Sequence, residues 1–207
     1  MMSTRIDRSL GLPAAMALGA LLALAFAPAA NAQRLFPDDY FFNINNPELD
    51  AKHAEMTGQP RPELAVTDWM NGDLSEGDLE GKILVVDLWA TWCGPCLAAI
   101  PENNELAETY ADEGILVIGV CTSSGQEKLA QVVEDREIKY PVAKDPDQET
   151  SEAWNVAYYP TYAVVDREGI VRAIGLTPNH IEDVVKAVLE EQPVASAEAA
   201  SDTSAKD

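Results

Sequence analysis

Basic residues are scarce in this chain. Lys and Arg number 14 against 35 Asp and Glu, a formal net charge of −21 over 207 residues. So acidic a surface repels phosphate backbones and anionic headgroups, which excludes nucleic acid as a partner and disfavours a lipid surface. Solubility accounts for the charge without any dedicated basic partner. Histidine is scarcer still: His53 and His180 are the two copies. They stand in no ligand spacing and are both expected at the surface. The three cysteines, Cys93, Cys96 and Cys121, cannot supply a four-cysteine zinc site. No metal and no cofactor is therefore expected. Nothing repeats internally, and the length suits one domain with appendages.

Long apolar runs are also few. The first lies at 10–26, behind Arg5 and Arg8 and ahead of the small-residue stretch Ala30-Asn31-Ala32. That order is the pattern of a cleavable export leader, so 1–32 is set apart as a signal peptide. No adjacent Arg pair occurs there, and no Cys follows the cleavage point to carry a lipid. The run is close to spanning length, which leaves an uncleaved N-terminal membrane anchor as the alternative. Interruption by Gly11, Pro13 and Gly19 favours secretion, to a periplasm or cell envelope. Residues 33–60 form an extension with Phe36, Tyr40, Phe41 and Phe42, then a short helical stretch at 47–56. A linker is expected over 59–62, a domain over 61–192, and a disordered Ala/Ser/Asp/Glu tail over 193–207.

The second apolar run organises the rest. Residues 83–101 read ILVVDLWATWCGPCLAAIP. Its first half has the β-branched and aromatic content of a fully buried strand, with one carboxylate, Asp87, inside. Its second half places Pro in the first turn of a helix, followed by Leu97, Ile100 and Leu106 at helical spacing. Both thiols of Cys93-Gly94-Pro95-Cys96 thus sit at a helix N-terminus. Free N–H groups and the helix dipole stabilise an anion there, which acidifies the first thiol. Two intervening residues let the sulfurs close a small ring. Attack by Cys93 and resolution by the more buried Cys96 is thiol–disulfide exchange.

The stretch VVDLWATWCGPC resembles the thioredoxin active-site segment almost residue for residue. The longer pattern from Gly81 to Pro101 is similar to the exported TlpA/ResA-like branch of that superfamily. The resemblance implies a thioredoxin-like three-layer α/β/α sandwich with a mixed central sheet. It implies protein disulfides as substrates, a membrane electron donor that re-reduces the dithiol, and, for some members, service in cytochrome c maturation. A monomer is expected. Gly94-Pro95 resembles the reducing members, so reductase is the favoured direction, with Cys93–Cys96 as the redox disulfide.

Four further residues receive roles. A carboxylate in a buried strand is costly when charged, so the pKa of Asp87 should rise. By resemblance it lies behind Cys96 and moves the proton when that thiol attacks; the competing reading has it satisfied by Lys82 or a backbone turn. Tyr159-Pro160-Thr161 matches the cis-proline segment that faces the cysteines in this superfamily, which would make Tyr159 and Pro160 substrate-binding. Tyr158-Tyr159 departs from the small or aliphatic residues usual there and should narrow the groove. Trp92 should form the rim of the site, whereas Trp89 is packing. Cys121 ends a strand on the same sheet edge and reads as a small buried hydrophobe more readily than as an auxiliary thiol.

The remaining pattern alternates. It predicts N-terminal strand and turn over 63–73, a helix to about 112, a strand at 115–120, a helix over 126–138 and a short strand at 140–143. A turn at 144–146, a helix over 149–156, a hairpin of 162–165 with 170–174, and a closing helix over 179–190 follow. A redox-sensing binding module without turnover is the rival from another class. A thiol peroxidase would need a Pro and Thr in fixed spacing ahead of Cys93, which are absent.

Overall fold

In this computed structural model the described residues are 34–192. The expected leader at 1–32 and tail at 193–207 therefore lie outside them.

The run Ile83–Trp89 is β2, and all seven of its residues are buried. It has neighbours on both edges. Ile115–Thr122 (β3) pairs with it in parallel and Thr161–Val165 (β5) antiparallel. Beyond β3 lie Val142–Asp145 (β4), parallel, and Thr67–Met70 (β1), antiparallel; beyond β5 lies Val171–Leu176 (β6), antiparallel. The order β1-β4-β3-β2-β5-β6 is the mixed sheet that was expected.

Strand alternation sends β2 side chains to two cores. Ile83, Val85 and Trp89 meet Cys96, Ile100 and Leu106 of α3 (Gly94–Thr109), and Val184, Val185 and Val188 of α6 (Ile181–Glu191). Leu129 of α4 (Leu129–Asp135) joins the same face. Leu84, Val86 and Leu88 face the other way, against Ile118, Val120, Trp154 and Leu79 of α2 (Glu76–Leu79). Each layer thus has its own core, with β2 shared between them.

Several boundaries differ from the sequence pattern. The helix over 126–138 divides into a 3-10 turn at Gln126–Lys128 and α4. The short strand is displaced two residues along, because pairing runs from Gly119↔Val142 to Thr122↔Asp145. Asp145 is consequently strand, not turn. Its buried carboxylate accepts the N–H groups of Thr150 and Ser151, at 3.2 and 2.8 Å, and so starts α5 (Glu149–Ala153). That helix stops before Asn155, which has φ of 51°. The closing helix begins as a 3-10 turn at Pro178–His180.

The extension packs on the edge strand β6. Phe42 N donates to Gly175 O at 3.0 Å, Thr177 N to Tyr40 O at 2.9 Å, and Gly58 N to Val171 O at 2.8 Å. The expected linker also participates: Val171 N donates to Gln59 O and Arg61 N to Gly169 O. Between these contacts runs α1 (Pro47–Met56), capped by Asn46. Its His53 is a correction to the sequence reading, being 3% exposed and not superficial. His53 Nε2 donates to the Asn155 carbonyl at 3.1 Å, and burial holds its pKa below the usual value, so the ring is neutral. His180 stacks on Tyr40 with ring centroids 4.1 Å apart.

Gly175 makes this docking possible. It has φ of +86°, and an added Cβ would lie 2.9 Å from His53 Nδ1 and 3.0 Å from the Tyr158 hydroxyl. Gly175→Ala should cost about 2–3 kcal/mol, from left-handed strain plus overpacking. Urea unfolding measures the loss, and limited proteolysis should show cleavage between residues 34 and 60. Wild-type stability in this variant would mean that the docking does not depend on Gly175.

Candidate active site

The end of β2 turns directly into α3, and the turn carries the cysteines. Cys93 is the N-cap of α3 and Cys96 lies in its first turn. They are joined as a disulfide with Cα atoms 5.3 Å apart. Cys96 N donates to Cys93 Sγ at 3.2 Å. That donor, with the helix dipole behind it, is placed to stabilise a Cys93 thiolate after reduction. Cys93 is 5% exposed and Cys96 1%, so the first sulfur is the more accessible one.

Trp92 projects beside them, 60% exposed. Its indole is not loose. Nε1 donates to Ser124 O at 3.0 Å, and Thr91 Oγ1 donates to Gly125 O at 2.8 Å. The loop after β3 therefore clamps the active-site turn. Gly125, with φ of +83°, is required there, because a Cβ would stand 2.6 Å from Thr91 Oγ1. Sequence reasoning missed this loop; the left-handed glycine four residues past Cys121 was its only signal.

The Tyr159–Pro160 bond is cis, as the resemblance implied. Thr161 pairs with Leu88, which brings this segment to the same end of the sheet as the cysteine turn. Tyr159 meets Trp92 edge to face, with centroids 5.9 Å apart. Tyr158 points away from that rim: it packs edge to face on Phe42 and its hydroxyl donates to Gly175 O at 3.4 Å. Of the two aromatics expected to narrow the groove, the contacts place Tyr159 on the rim and Tyr158 against the extension.

Asp87 lies on the α3 face of β2, 1% exposed. Burial pushes its pKa up to about 7, against the opposing hydrogen bonds of Tyr162 and Asn103. Asn103 Nδ2 donates to Asp87 Oδ2 at 3.0 Å. Lys82, the partner in the competing reading, is exposed and makes no ion pair with it among the described residues. Asn103, Tyr140 and Tyr162 were not singled out from sequence. Asn103 was detectable as a polar residue on the apolar stripe of α3, three past Ile100 and seven past Cys96. Cys121 is fully buried, and burial raises its pKa to about 12. At neutral pH it is a protonated core residue. No cluster of metal-ligating side chains occurs among the described residues.

The profile of the AhpC/TSA family matches residues 57–174, more than half of the chain. The chain belongs to the AhpC/TSA family. Among curated relatives of this AhpC/TSA chain is the thiol-disulfide oxidoreductase ResA of Bacillus anthracis. It is 30% identical over 120 residues, covering 58% of this chain and 69% of the relative. The ResA of Geobacillus kaustophilus is 28% identical over 123 residues, 59% of this chain and 71% of its own. Among solved structures, a thioredoxin-like protein in its oxidised form superposes with a TM-score of 0.58 at 29% identity, covering 64% of this chain and 96% of that one. A thiol:disulfide interchange protein of the thioredoxin family from Chlorobium tepidum TLS gives 0.55 at 26% identity, with 63% and 95% covered. The fold of this AhpC/TSA member is thioredoxin-like.

Proposed function

We infer that this protein is an exported thiol–disulfide oxidoreductase that reduces protein disulfides. One observation carries the reading: a Cys93–Cys96 pair that caps α3, with the Cys96 N–H aimed at Cys93 Sγ. The Cys93 thiolate attacks a substrate sulfur, forming a mixed disulfide and releasing the other substrate thiol. Cys96 then attacks Cys93 Sγ, closing the enzyme disulfide and releasing the second thiol. Asp87 accepts the Cys96 proton in that second step, at a pKa matched to neutral pH. Trp92, Tyr159 and Pro160 form the surface on which the substrate strand lies. The names of the ResA relatives support the chemistry.

The cellular setting follows from the leader pattern and that kinship: a cell envelope or periplasm, a membrane donor that restores the dithiol, and a monomeric enzyme. Cytochrome c maturation is the process it would serve. No helix of the described residues is long and apolar enough to cross a membrane. The deciding assay is reduction of a protein disulfide such as insulin, driven by a small dithiol, together with the Cys93–Cys96 potential. Stoichiometric reaction without turnover would leave a redox-sensing binding module instead.

Specificity is tested in the same assay. Tyr159→Val should leave reduction of a small-molecule disulfide within about twofold, while rates on individual protein disulfides shift by about two- to tenfold in either direction, the worth of one aromatic contact. Equal losses on every substrate would make Tyr159 a support for the fold.

A further inference from the structure

Asp87 reaches α3 through one side chain. Asn103 Nδ2 lies 3.0 Å from Asp87 Oδ2, 3.0 Å from the Tyr162 hydroxyl and 3.3 Å from the Tyr140 hydroxyl. All of this is buried, with Asn103 itself 2% exposed. An amide nitrogen carries two hydrogens and faces three acceptors, so it is saturated. The other carboxylate oxygen differs. Asp87 Oδ1 is buried and has no hydrogen-bond partner among the described residues. A buried acceptor left so is costly, unless a proton or water reaches it during function.

On its outer side Asn103 lines a cleft of about 390 Å³ between α3 and α6, shared with Glu102, Glu105 and Glu182. Asp87 does not line that cleft. Asn103 thus touches both the cleft and the buried acid, and it does so with a group that does not titrate.

We propose that Asn103 is a positioning residue for the resolving step: its amide holds Asp87 by Oδ2 and leaves Oδ1 as the oxygen that receives the Cys96 proton. This rests on the role given to Asp87 above. In that step the Cys96 S–H bond breaks and its proton passes to Oδ1. The thiolate then forms the bond to Cys93 Sγ as the Cys93–substrate bond breaks, and the departing substrate thiolate is protonated from solvent. Two electrons pass from the enzyme dithiol to the substrate disulfide, and Asp87 later returns its proton to water.

The groups around the carboxyl favour this division. Tyr162 faces it from β5, Tyr140 from the segment ahead of β4, and Cys121 from β3. Burial pushes the pKa of each upward, that of Cys121 to about 12. From α3 the group that touches the carboxyl is the neutral amide of Asn103. Among Asp87, Tyr162, Tyr140 and Cys121, Asp87 is therefore the group that changes charge near neutrality. The Tyr162 hydroxyl and the Asn103 amide both favour its ionised form, the one able to accept a proton.

The test is single-turnover resolution of a mixed disulfide between Cys93 and a small aromatic thiol, followed against pH in the mature protein. Asn103→Leu removes the donor and should move the pH midpoint of resolution up by about one unit, so that the rate at pH 7 falls about fivefold and recovers at higher pH. Alkylation of the Cys93 thiol reports the attack half separately and should keep its pH dependence. Tyr162→Phe should shift the midpoint in the same direction by at least as much, and serves should Asn103→Leu fail to fold. An unchanged midpoint beside a strong effect of Asp87→Asn would overturn the role of Asn103 and leave that of Asp87 standing. An unchanged rate in Asp87→Asn would overturn both.

Discussion

Cys93→Ser should reduce disulfide turnover to the uncatalysed rate, a loss on the order of a thousandfold or more, as for removal of any covalent nucleophile. Cys96→Ser should instead stop the reaction halfway. Its Cys93 still attacks, because the N-cap position and the Cys96 backbone N–H that stabilise the thiolate do not depend on the second sulfur. The mixed disulfide then accumulates, visible as a protein–protein adduct on a non-reducing gel and discharged by added thiol. The asymmetry between the variants follows from the burial order of the two sulfurs. Equal turnover in both variants would contradict the mechanism, and adducts on Cys93→Ser in place of Cys96→Ser would reverse the roles.

Asp87→Asn should make the protein more stable, by a margin that opens above about pH 4 and is complete above about pH 7. The carboxyl ionises at about 7 in the folded chain against an ordinary 3.8, because burial penalises its charge. Between those values the folded state keeps a proton that the unfolded state releases, so stability falls as pH rises from about 4 to about 7. Above pH 7 the whole penalty is present, at most about 4 kcal/mol at 1.36 kcal/mol per pH unit. Asn keeps the shape and the Oδ acceptor for Asn103 without the charge. Urea unfolding of the oxidised protein should show the variant ahead by about 2–4 kcal/mol at pH 8 and level with wild type at pH 3. Equal stabilities at pH 8 would mean that the carboxylate is solvated. Resolution should be slowed in the same variant, so that stability and activity move in opposite directions at one residue.

The cysteine turn was legible because its determinants are contiguous. An apolar strand, two thiols and a helix start follow one another between residues 83 and 101, and β2 needed no partner to be recognised as buried. Asp87 was legible for the same reason, as one charge in an otherwise apolar run. What sequence did not reveal depends on residues that meet from far apart. His53 looked superficial because its acceptor, Asn155, is 102 positions away. Asn103, Tyr140 and Tyr162 come from a helix, a loop and a strand, and each alone reads as ordinary core or surface. The Ser124-Gly125 clamp on Trp92 is a matter of loop path, which hydrophobic periodicity does not encode.

The docking of the extension along β6 has a consequence for the order in which the chain can fold. The Tyr40 carbonyl receives the Thr177 hydroxyl across 137 positions of sequence. A chain emerges N-terminus first, so residues 34–60 are made early and find their partner nearly last. Until residue 177 is available, those aromatics have no edge strand to close on, and the sheet they complete is itself built from distant pairings that form slowly. On the export proposed above, that delay would be useful. The residues that would enter a translocation path first are ones whose native partners in β6 are made late.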